Sequence, residues 1–249
     1  RGHLRGRRLS SAPVGPTLVG AVLAGGESRR MGRNKALVTV GGVPMARRAA
    51  DVMSAAGAEA VVLVGGSRSV GPDLDLEVVD DLWPGEGPLA GLASAVHWAA
   101  EAGANAVLVS ACDQPNLTAE VFDLLHARLL AAGAGRGGAG AGGVAVPDGL
   151  TVAGAVTVAA DGRRNPFPAA WLTAGAAGLR ALVSAGHRRA DAAFELGVET
   201  VAVAGEVVAD VDRPFTARNL RARIRHGARL VPYLVLPLQM LAYFVADHK

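Results

Sequence analysis

Two apolar runs, Val19–Ala24 and Ala106–Ala111, limit the fold more than any other feature of this chain. The first reads as a buried strand. The second offers no solvent face at all, the pattern of a strand covered by protein on both sides. Around them, strand-like runs alternate with alanine-rich helical stretches: a helix over Pro44–Ala56 closed by Gly57, a strand at Ala60–Val64, a short strand at Glu77–Val79, and a helix over Leu89–Ala102 closed by Gly103. Proline at a first helical turn and glycine just past a last one mark those ends. Thr118 caps a further helix to about Ala131, with Glu120 in its first turn. Such alternation predicts an α/β, Rossmann-like, doubly wound and mostly parallel sheet with helices on both faces. Ligands of these sheets bind beyond the carboxyl ends of the strands.

Residues 131–143, AAGAGRGGAGAGG, form a low-complexity glycine tract that reads as a loop rather than a domain boundary, because strand-like Val144–Val146 follows directly. Beyond it lie Val152–Val158, the segment Asn165–Leu172, helical stretches at about Ala174–Ser184 and Arg189–Leu196, and strands at Glu199–Val203 and Val207–Val211. A last helix is expected near Pro214–Arg225. The division is a basic, disordered segment over 1–17, one domain over 18–225 and an apolar tail over 226–249. The run Leu230–Ala246 in that tail is about as long as a short membrane span but is interrupted by Pro232, Pro237 and Gln239. A packed tail, a membrane-surface segment and a fragment of a longer chain all stay open for it.

At 249 residues the chain suits one large or two small domains. It is 51% hydrophobic but only 4% aromatic, so its core must rest on Ala, Val and Leu. The net charge of +3 is concentrated at the N-terminus, in residues 29–35 and at 218–229. A lone cysteine, Cys112, excludes an intramolecular disulfide and agrees with a reducing, cytoplasmic setting. We read it as a small buried hydrophobe. No apolar signal-peptide core follows the basic start. The six histidines show no metal-ligand spacing, and no G-x-S-x-G elbow occurs.

The first apolar run leads into Gly25-Gly26 and then a cationic loop carrying Arg29, Arg30, Arg33 and Lys35. Glycine lets backbone approach an anion and tolerates φ > 0, and the basic side chains supply charge, so the stretch suits phosphates. It is neither a Walker A loop nor a G-x-G-x-x-G fingerprint, since the spacings differ. A solvated surface turn is the alternative. Asp113 follows directly on the second run, where a carboxylate can bridge Mg²⁺ to a triphosphate; a turn-forming aspartate before Gln114-Pro115 is the alternative. Asp80-Asp81 precede Gly85, Gly87 and Pro88, and the helix begun at Leu89 points its amides toward a ligand.

LAGGESRRMGRNK, Leu23–Lys35, resembles the signature loop of small nucleotidyltransferases that join a nucleotide to a cofactor precursor, in particular the molybdenum cofactor guanylyltransferases. The likeness continues at intervals over roughly 19–220. It implies transfer of GMP from GTP to molybdenum-bound molybdopterin, with GTP and molybdopterin as small-molecule substrates and Mg²⁺ as cofactor. By the same resemblance Asp113 is the metal ligand, and Arg30 and Lys35 act with it in catalysis. Leu23, Ala24, Gly25 and Asp80 position the nucleoside, with Asp81 the next match to the nucleotide-binding aspartate. GPLAG, residues 87–91, is similar to the guanylyl enzymes' nucleotide-enclosing segment, and LAGG rather than LAAG separates the chain from cytidylyl relatives. Asp210-Val211-Asp212-Arg213-Pro214 resembles the closing N-x-N-T-P segment, as a second metal carboxylate or as a helix cap. Asn165-Pro166-Phe167-Pro168 stands where relatives carry a His-Pro-like element. Transient contact with molybdenum-insertion proteins and apo-molybdoenzymes is implied, and neither nucleic acid nor a membrane is an expected partner. The other readings are cytidylyl transfer to molybdopterin, guanylyl transfer to another phosphorylated precursor, and a non-catalytic module that delivers cofactor.

Overall fold

The computed structural model describes residues 17–24, 35–134, 152–205 and 208. In chain order the elements are β1 (Leu18–Leu23), β2 (Thr39–Val40), β3 (Val43–Pro44), α1 (Met45–Ala55), β4 (Val61–Val64), α2 (Gly71–Leu74), β5 (Glu77–Val79), α3 (Pro88–Glu101), β6 (Ala106–Ala111), α4 (Ala119–Ala134), β7 (Gly154–Val158), β8 (Arg164–Leu172), α5 (Ala176–Ser184) and β9 (Val198–Ala202). Seven strands form one sheet in the order β5-β4-β1-β6-β8-β7-β9, and β2 and β3 make a separate hairpin. β1 pairs in parallel with both β4 and β6, and β4 with β5. Only β8 runs against its neighbours β6 and β7, while β9 lies parallel to β7.

The apolar runs decide this arrangement. β1 is buried at all six positions and β6 at five of six. Leu18 and Val22 of β1 and Leu108 of β6 face one core, with Ala49 and Met53 of α1 and Phe122, Leu125 and Leu129 of α4. Val19, Ala21 and Leu23 of β1 and Val107 and Val109 of β6 face the other, with Leu92 and Val96 of α3 and Leu179 and Val183 of α5. Period-two alternation therefore feeds two separate cores from one strand, and both helical layers of the doubly wound reading are present.

Glycine stands where these layers touch. A Cβ on Gly20 would lie 2.9 Å from the Met53 sulfur, and one on Gly154 would lie 2.8 Å from the fully buried indole of Trp171. The indole is rigid and enclosed. Gly154→Ala is therefore expected to destabilise the fold by about 2 kcal/mol, read from the midpoint of denaturant unfolding.

Two segments take a form that the sequence left open. The stretch Arg189–Leu196 is a 3₁₀ segment, Ala190–Leu196, rather than an α-helix. It is anchored at both ends, by the Arg188 carbonyl bonded to Leu89 N–H and by Gly197 at φ 77° leading into β9, which leaves seven residues to span the gap in the tighter helix. Asn165–Leu172 is the one antiparallel strand of the sheet. The N-terminal basic segment up to residue 16, the loop residues Gly25, Arg29, Arg30 and Arg33, the glycine tract from 135, Val144–Val146, Asp210, Asp212, the expected Pro214–Arg225 helix and the 226–249 tail lie outside the described residues. Among the described residues no helix is long and apolar enough to cross a membrane.

Candidate active site

The chain leaves β1, passes to β4 and β5 on one side, and returns through α3 to β6 on the other side of β1. The carboxyl ends of β1 and β6 are thus the topological switch point, where an open α/β sheet leaves a crevice. Leu23 and Ala24 end β1 there, and Cys112-Asp113 leave β6 beside them. The rim is held by main-chain bonds: Cys112 N–H donates to Leu23 O at 3.1 Å and Ala24 N–H to Val64 O at 2.9 Å.

Lys35 and Asp113, 78 residues apart in sequence, meet at this rim. Lys35 Nζ donates to Asp113 Oδ2 at 2.9 Å, with the two side chains 23% and 17% exposed. The far end of the basic loop is therefore fastened to the strand-ending carboxylate, in a position still open to solvent. Mg²⁺ takes one or two carboxylates and completes its shell with waters and phosphate oxygens. A partly exposed aspartate at the end of a central strand, with an ammonium beside it, fits that demand. Among the described residues no group of three or more His, Cys, Asp or Glu forms a closed metal cage.

Gln114, missed in the sequence, holds Asp113 in place. Its amide nitrogen donates to Phe167 O at 3.1 Å and to Val208 O at 3.3 Å, while the side chain is 5% exposed. It ties the exit of β6 to the start of β8. A glutamine between an aspartate and a proline carries no spacing signal, so only the fold reveals it. Cys112 is buried, and burial first, with the Asp113 charge second, pushes its thiol up to about 12. At pH 8 about one part in ten thousand is thiolate. Native protein is accordingly expected to react negligibly with a thiol reagent at that pH, and unfolded protein to react with one equivalent.

Asp80 leaves β5 on the same edge of the sheet, two strands from β1. It is 70% exposed and paired with Arg68. Asp81 is committed to structure: Oδ1 accepts from Trp83 N–H at 3.0 Å and from Ser94 Oγ at 2.9 Å, and Ser94 Oγ also accepts from Leu82 N–H. This fastens the 80–88 loop onto α3. The α3 amides do not face a ligand as expected from the sequence. Residue 88 is proline, Leu89 N–H donates to Arg188 O at 3.1 Å, and Ala90 N–H turns back to Gly87 O at 3.1 Å. Gly87 has φ 89°, and a Cβ there would sit 2.7 Å from Arg188 O, so the glycine of GPLAG serves this main-chain contact. Leu23 places its side chain in the core against Gly91 of the same segment.

The MobA-like NTP transferase domain matches residues 20–200, which include Lys35 and Asp113. The chain belongs to that family. A probable molybdenum cofactor guanylyltransferase of Opitutus terrae is 47% identical over 105 residues, 42% of this chain and 52% of that protein. The molybdenum cofactor guanylyltransferase of Cereibacter sphaeroides is 37% identical over 173 residues, 69% of this chain and 78% of that protein. The chain spans about half the length of several curated relatives it matches, 52% for the Opitutus protein and 48% for one from Pelotomaculum thermopropionicum. The crystal structure of molybdopterin-guanine dinucleotide biosynthesis protein A from Archaeoglobus fulgidus shares the fold, with a TM-score of 0.55 at 18% identity over 92% of this chain and 97% of that one. The MobA-like domain accounts for the doubly wound sheet.

Proposed function

We propose that this MobA-like chain is a guanylyltransferase that moves GMP from GTP to the terminal phosphate of molybdenum-bound molybdopterin, releasing pyrophosphate. The observation that carries the proposal is the 2.9 Å contact of Lys35 with Asp113 at the switch point, joining the phosphate loop to the acidic strand end. The guanylyltransferase names of the relatives support the choice of nucleotide and acceptor.

In the reaction a phosphate oxygen of the acceptor attacks the α-phosphorus of GTP in line. A new P–O bond forms as the α–β phosphoanhydride breaks, and the electron pair leaves with pyrophosphate. The attacking oxygen is already anionic, so no general base is required. The barrier is repulsion between anions and the charge gathering on the leaving group, which preorganised cations oppose. Lys35, with Arg30 and the amides of residues 25–32, offsets charge on the leaving phosphates. Asp113 would hold Mg²⁺, which when bound would supply positive charge to the phosphates. Leu23, Ala24, Gly25 and Asp80 position the nucleoside. Asp80 is the freer of the two neighbouring aspartates, its companion Asp81 being held by Ser94 and Trp83.

The test is pyrophosphate release from GTP, CTP and ATP in turn, with purified molybdenum-loaded molybdopterin and Mg²⁺. Release confined to GTP and dependent on acceptor is expected. Release with CTP alone would make the chain a cytidylyltransferase, and tight pterin binding without release would make it a delivery module.

A further inference from the structure

The loop that carries GPLAG is closed from the far end of the chain. Arg188 Nε forms an ion pair with Glu86 Oε2, about half of each side chain being exposed. The main chain of the same residue accepts the Leu89 amide, against a glycine that leaves no room for a side chain. The guanidinium is itself held: its Nη1 donates to Val183 O, in the last turn of α5, at 3.2 Å and to His187 O, just beyond that helix, at 3.1 Å. Arg188 is therefore fixed by one helix and grips the entry to another through side chain and backbone together. The other end of the loop is fastened by Asp81 and Ser94, so the residues between them are pinned at two points. Arg188 also lines a cavity of about 520 Å³ with Arg164, Arg189 and Phe194.

The geometry points to Glu86 and Arg188 as positioning residues for nucleotide binding, a clasp that holds residues 85–89 in the shape needed to enclose the nucleotide. The inference rests on the guanylyltransferase reading for what the loop holds. The clasp itself is a property of these residues alone. Neither side chain touches reacting atoms; each acts through the path of Gly87 and Pro88. Because the pair is partly exposed, its effect is modest, about threefold to fivefold. It belongs in KM for the nucleotide rather than in kcat, since the ground state and the transition state share the same enclosure.

Two measurements on the full chain test it. In Glu86→Ala, Arg188→Ala and the double variant, KM for GTP should rise about threefold to fivefold with kcat changed less than twofold. The double variant should be no worse than the worse single one, because both break the same contact. Hydrogen exchange gives a second readout that needs no activity: the Leu89 amide should exchange faster in Glu86→Ala, while amides in the middle of α3 keep their protection. Glu86→Gln, which keeps an acceptor near Arg188, should recover part of both effects. An unchanged Leu89 amide, or additive KM effects in the double variant, overturns the clasp. Faster Leu89 exchange in a protein that transfers no nucleotide keeps the clasp and overturns the guanylyltransferase reading instead.

Discussion

Asp113→Ala is expected to lower kcat for pyrophosphate release by at least about 10²–10³-fold, the cost of removing one preorganised electrostatic group from a transition state. Saturating Mg²⁺ does not restore it, because the ligand is missing rather than the ion. The position explains the size of the effect. Asp113 follows a strand with both faces buried, and the next residue, Gln114, is anchored by two hydrogen bonds from its side chain to the Phe167 and Val208 carbonyls. Among the described residues no group of three or more His, Cys, Asp or Glu is gathered that could hold the ion without it. Asp113→Asn separates charge from shape, since it preserves volume while removing the formal charge and turning one acceptor oxygen into an amide donor. Both variants should remain folded, because the Lys35 contact they break is partly open to water and contributes little to stability. Near-normal turnover of Asp113→Ala in saturating Mg²⁺ would refute the metal assignment.

Lys35→Ala is expected to have the second largest effect, about 10²-fold in kcat/KM for GTP, divided between weaker nucleotide binding and slower transfer. An ammonium that offsets phosphate charge acts before and during the reaction, so KM rises as kcat falls. Lys35→Arg should recover little. The lysine reaches Asp113 as a compact point charge, whereas a planar guanidinium presents a wider fork to the same carboxylate. Steady-state kinetics with varied GTP check both variants. A Lys35→Ala enzyme with unaltered KM and kcat would detach the basic loop from the chemistry.

Several site elements were legible because local rules act on contiguous residues. Val107–Val109 announce a strand buried on both faces by lacking any polar alternation, and the structure buries that strand at five of its six positions. Gly57 and Gly103 announce helix ends because a left-handed residue is needed there, and both have positive φ. Lys35 and Asp113 each stood out for an anion and for a cation, respectively. Other elements were illegible because their partners are distant in sequence. The α3 amides seemed free for a ligand until Arg188, about a hundred residues later, was found bonded to Leu89. Asp80 and Asp81 look alike in sequence, yet Ser94 commits one of them to the scaffold and leaves the other exposed.

The division follows from what each kind of interaction needs. Hydrophobic periodicity, glycine conformational freedom and side-chain charge are properties of short stretches, so the amino-acid order alone determined the α/β class, the strand ends and the acid and base that meet there. Distances between those groups depend on strand order and crossover, which depend on packing across the whole sheet. Only the folded chain decided that Lys35 and Asp113 share one rim at 2.9 Å, that β8 runs antiparallel, and that Glu86 pairs with Arg188 from a distant part of the sequence.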